Sequence, residues 1–60
     1  MSSKQVIKDI KKSGGELVRT NGSHHQYRFP DGRMVTVPHP KKDIPLGTLR
    51  SIEKQAGIRF

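Results

Sequence analysis

The first apolar residues of the chain, Val6, Ile7 and Ile10, fall at i, i+1 and i+4 and make one narrow stripe, with Lys4, Lys8, Lys11 and Lys12 occupying the rest of the turns. Ser2-Ser3-Lys4-Gln5 fits a capping box, in which a serine hydroxyl and a glutamine three residues on satisfy each other's unpaired backbone groups. The pattern predicts a helix from about Ser3 to Ser13, ended by Gly14-Gly15. The period then changes from helical to alternating. Glu16 to Thr20 reads as a strand, and Asn21-Gly22 as a hairpin turn, since both central positions of a type I′ turn need positive φ. That turn pairs Thr20 with Ser23, Arg19 with His24, Val18 with His25 and Glu16 with Tyr27.

Alternation sorts the second strand into His25, Tyr27 and Phe29 on one face and His24, Gln26 and Arg28 on the other. Pro30-Asp31-Gly32 has the sequence of a type I turn followed by a left-handed bulge glycine. The resulting register sets Arg33 opposite Phe29, Val35 opposite Tyr27 and Val37 opposite His25. Two turns derived separately thus give one sheet, with Val18, His25, Tyr27, Phe29, Val35 and Val37 on an inner face. Leu17, Arg19, His24, Gln26, Arg28, Met34 and Thr36 form an outer face that is polar and basic.

Residues 38–45, with three prolines, cannot continue the sheet and read as a stiff basic loop. Leu46, Leu49, Ile52 and Ala56 then recur at helical spacing, which predicts a second helix from about Leu46 to Ala56, stopped by Gly57 with Ile58 folded back on Ile52. The expected architecture is an α+β fold, α-β-β-β-α in order, like a double-stranded-RNA-binding domain: a three-stranded antiparallel sheet with two helices on one face. Residues 1–60 are expected to form a single domain.

A chain of 60 residues hides only about 60% of the surface its unfolded form exposes, so a deep catalytic cavity is not expected. Twelve Lys and Arg against five acids give a net charge of +7, which favours a polyanionic partner, nucleic acid first and an acidic protein second. The absence of cysteine removes disulfides, zinc fingers and thiol nucleophiles. No more than two apolar residues follow one another, which argues against a membrane span or signal-peptide core and makes the cytoplasm the expected location.

The stretch GSHHQYRFPDGRMVTVPHP, followed by KKDIPLGTLRSIEKQAGI, resembles the HicA (YcfA-like) toxin family over essentially the whole chain. Its Gly-Ser-His-His and Pro-x-Gly-Thr-Leu-x-x-Ile motifs carry the resemblance. What it implies is a ribosome-independent mRNA-cleaving toxin held inactive by a HicB-like antitoxin, with a catalytic histidine after the Gly-Ser pair. That leaves His24 or His25, and the strand-face argument selects His24.

The implied chemistry is that of a ribonuclease needing neither metal nor cofactor. An imidazole, whose unperturbed pKa is about 6.5, takes the proton of a ribose 2′-OH so that the oxygen attacks the adjacent phosphate. Negative charge grows on the phosphorane, so nearby cations matter; Arg19 and Arg28 are the candidates, Gly22 keeps the turn low for a phosphate, and Lys41 and Lys42 are candidate phosphate contacts. Each residue has a plainer reading. His25 and Tyr27 read as core, Ser23 as part of the turn, and Lys41 and Lys42 as a solvated loop as readily as a phosphate clamp. A zinc site from His24, His25 and His39 is disfavoured because adjacent strand residues face apart. The competing function is a non-catalytic double-stranded-RNA-binding module, which would want a basic second helix. Here that helix carries only Arg50 and Lys54, partly balanced by Glu53.

Overall fold

The computed structural model describes residues 1–60, in the order α1 (Ser3–Lys12), β1 (Glu16–Asn21), β2 (His24–Arg28), β3 (Met34–Pro38) and α2 (Leu46–Ala56). The strands form one antiparallel sheet in the order β1-β2-β3. This is the α-β-β-β-α arrangement that the hydrophobic pattern predicts. The capping box is present as read, with the Ser2 hydroxyl accepting from the Gln5 N–H and the Gln5 side chain accepting from the Ser2 N–H. At the other end of the chain Gly57 takes φ 68°, and the Ile58 N–H reaches the Glu53 carbonyl at 3.2 Å, the long bond of a Schellman end.

Both helices bury their stripes against the inner face of the sheet. Val6, Ile7 and Ile10 from α1 and Ile52 and Ala56 from α2 enclose Tyr27, Phe29, Val35 and Val37, with Ile44 of the loop filling the gap. The β2–β3 hairpin has the predicted register, Tyr27 opposite Val35 and His25 opposite Val37, and Gly32 sits at φ 94° with its N–H on the Phe29 carbonyl. Arg33 binds this turn to α2: its guanidinium lies 4.7 Å from the Phe29 ring centroid, donates to the Asp31 carboxylate at 2.7 Å and donates to the Ala56 carbonyl. The Arg33 backbone N–H also donates to the Asp31 carboxylate, which holds that carboxyl below its ordinary value of 3.8. The sign follows from linkage: this small contribution to stability is present at neutral pH and is lost as acid protonates the group.

The β1–β2 hairpin differs from the sequence reading. The observed pairs are Asn21 with His24, Thr20 with His25 and Arg19 with Gln26, so the turn is Gly22-Ser23 rather than Asn21-Gly22. A type I′ turn needs two residues at positive φ, and only Gly22 adopts it, at φ 60°; glycine first and an ordinary residue second is the type II′ arrangement. A bulge between Leu17 and Arg19 then shifts the register by one, giving Leu17 opposite Tyr27 and Glu16 opposite Arg28. A one-residue shift exchanges the faces of everything beyond it. Leu17 therefore moves to the helical side of the sheet, while Val18 joins Glu16 and Arg28 around a shallow outer hollow.

Strand β3 also runs one residue further than expected, through Pro38, which pairs with His24. Proline is tolerated there because β3 is an edge strand and this position has no donor to give up to β2.

Candidate functional site

The outer face of the sheet carries no helix, so its side chains are set by strand alternation alone. His24 opens β2, opposite Asn21 on one side and Pro38 on the other, and is exposed. Arg19, Asn21, His24, Gln26 and Thr36 surround a hollow of about 400 Å³. The structure thus brings Arg19 and His24 together although they are not directly paired: moving the turn by one residue shifts the pairing by two, which preserves the parity of Arg19. Arg28 shares the face but borders the neighbouring hollow, opposite Glu16.

The other candidates fall elsewhere. Gly22 is required by its positive φ rather than by a close approach, since a Cβ there would meet nothing within 4 Å. Lys41 and Lys42 lie just beyond the His24 end of the sheet, beside the start of α1 and outside the His24 hollow. His25 is half-buried at the margin of the core rather than within it, and its ring makes a T-shaped contact with that of His39 at a centroid distance of 5.0 Å. The Tyr27 phenol is buried, and desolvation pushes its pKa above 10.0, so it stays protonated at neutral pH.

Two amides join the site, Gln26 on the face that alternation gives it and Asn21 on one that the expected register did not give it. Asn21 and Gln26 offer neutral donors beside His24, and Asn21 was hidden because the expected register placed it inside the turn. His24 is thus an exposed imidazole with a guanidinium and two carboxamides around an open concavity. Such a set has the donors to hold an anion and a ring nitrogen able to take up or release a proton.

This geometry is carried by a chain whose residues 3–58 match the family model described as the HicA toxin of bacterial toxin-antitoxin systems. The chain belongs to the HicA toxin family. A HicA toxin is one half of a toxin-antitoxin pair, so an antitoxin is among its partners. Among curated proteins none matches the chain. No helix of this HicA toxin is long and apolar enough to cross a membrane, and no group of three or more His, Cys, Asp or Glu side chains is placed to hold a metal ion.

Proposed function

We infer that this HicA toxin is a metal-independent endoribonuclease acting on mRNA, with His24 as its general base and a HicB-like antitoxin as its inhibitor. The observation that carries the reading is the exposed His24 ring sharing one open hollow with Arg19, Asn21 and Gln26. His24 takes the proton from a ribose 2′-OH, the 2′-oxygen bonds to the adjacent phosphorus, and the bond to the 5′-oxygen breaks, the departing oxygen taking a proton from solvent water. The products are a 2′,3′-cyclic phosphate and a 5′-hydroxyl end. Arg19, with the Asn21 and Gln26 amides, stabilises the charge that grows on the phosphorane, and Arg28 attracts the neighbouring phosphate. The chain acts as one domain in the cytoplasm.

The same face suits the antitoxin. Val18 and Met34 are 49% and 45% exposed beside Arg28 on the outer face, so an acidic partner that covers them and extends along β2 past Arg19 also covers His24. The test is RNA cleavage by the purified toxin titrated with antitoxin. Antitoxin is expected to abolish cleavage, compete with RNA, bind more weakly as salt rises and raise the melting temperature. Arg19→Glu or Arg28→Glu should weaken both RNA and antitoxin binding, and Lys8→Glu or Lys11→Glu on α1 should affect antitoxin much less. An antitoxin seated on the helical side with His24 open to solvent would refute direct occlusion.

A further inference from the structure

A second basic concavity lies where β3 ends and the chain turns across the start of α1. Ser3, Lys4, His39, Pro40, Lys41 and Lys42 are among the residues lining this hollow of about 500 Å³. Most of the surface lining it is carbon although its residues are polar or charged, and Lys4, Lys41 and Lys42 bring positive charge to it. No aliphatic core-type side chain lines it, so it offers little to a protein helix or strand seeking an apolar seat.

The His39 ring is held from two sides. Its Nδ1 lies 2.8 Å from the Ser3 hydroxyl, and Ser3 is only 1% exposed, fixed in turn by the Lys41 N–H at 2.8 Å and the Lys41 carbonyl at 3.1 Å. The His25 ring packs against it at an interplanar angle of 80°. A ring immobilised in this way loses little rotamer freedom when something stacks on it. The hollow is also tied to the candidate active site, since the His39 N–H donates to the Ser23 carbonyl at 2.7 Å and Pro38 pairs with His24. An RNA strand that bends from His24 around this end of the sheet would meet the hollow next.

We propose that this hollow is a nucleotide subsite, in which a base stacks on His39 and Pro40 and the phosphate beside it is held by Lys4, Lys41 and Lys42. A mostly carbon surface with two rings set among cations matches a planar base joined to a phosphodiester, and stacking of this kind is tolerant of sequence. Ser3 and His25 position the platform without touching RNA. The inference rests on the RNA-cleavage reading above for its class of ligand, and its test is independent of cleavage.

The probe is a short 2′-O-methyl oligoribonucleotide, which cannot be cut through its 2′-oxygen, with binding followed by fluorescence anisotropy across a salt series. His39→Ala is expected to weaken binding roughly five- to a hundredfold. His39→Phe, which keeps a ring, should retain most of the affinity. Lys4→Gln should flatten the dependence of log Kd on log salt by about 0.7, the loss of one phosphate contact on a single strand. Lys11→Gln, the same change of charge elsewhere on α1, should leave the slope alone. Parent-like affinity and slope for both His39→Ala and Lys4→Gln would overturn the subsite. Unchanged oligonucleotide binding with lost antitoxin binding would also overturn it and assign the hollow to protein. If instead His24→Ala cleaves like the parent while His39→Ala and Lys4→Gln weaken binding, the subsite stands and the catalytic assignment falls.

Discussion

Replacing His24 by alanine is expected to lower RNA cleavage by about 10²–10⁴ while leaving the melting temperature within a few degrees of the parent. The first half follows from the role of a general base, because without it the 2′-OH must lose its proton to water. The second half follows from exposure. His24 stands on the uncovered face and no core residue packs on that side, so its removal creates no cavity. His25→Ala should behave in the opposite way, since His25 is half-buried against His39 and that contact supports the loop after β3. Its melting temperature should fall. Initial cleavage rates on one RNA, read beside thermal melts of the same preparations, separate the two residues. A His24→Ala protein that is folded and cuts at the parent rate would show that the base is elsewhere.

Phe29→Ala is expected to remove a large part of the protein's stability. The side chain is 1% exposed, lies at the junction of the sheet with both helices' core residues, and carries the Arg33 guanidinium on its ring. Deleting a buried Phe costs about 3–5 kcal/mol, whereas a chain of this length has roughly 3–9 kcal/mol in total at 0.05–0.15 per residue. Since about 1 kcal/mol moves the midpoint of so small a domain by roughly 4–8 °C, the loss should be at least about 12 °C. Far-UV circular dichroism during heating measures it. A cooperative transition within about 5 °C of the parent would mean that Phe29 is not part of the central core.

The elements of this fold are written in short-range signals, and most of them are legible. The capping box at Ser2 and Gln5, the Gly57 stop of α2 and the Pro30-Asp31-Gly32 turn are local chemistry, and each appears where the residues put it. The β1–β2 register is less legible, because Asn21-Gly22 and Gly22-Ser23 both make good two-residue turns and a glycine serves either. The bulge at Val18 leaves no sequence mark, yet it decides that Val18 rather than Leu17 lies on the outer face. On the outer face, His24 and Arg19 keep the side that alternation assigns them because the parity of a strand survives a two-position shift in pairing. Asn21 was missed for the same shift. Ser3 was hidden for another reason: a serine inside a capping motif gives no hint that it is buried beneath a loop 36 residues further on, bonded to His39. Such contacts depend on how α1 crosses the sheet end, which no local pattern specifies.

Product chemistry tests the catalytic account most directly. A defined RNA is incubated with the purified toxin in excess EDTA, beside a copy carrying one 2′-deoxy nucleotide at the main cleavage position, and the new ends are read by mass spectrometry. If His24 works through the substrate's own 2′-OH, cleavage proceeds in EDTA, the fragments end in a 2′,3′-cyclic phosphate and a 5′-hydroxyl, and the deoxy position is not cut. Fragments ending in a 3′-hydroxyl and a 5′-phosphate, cutting at the deoxy position, or activity lost on chelation and restored by Mg²⁺ would contradict it.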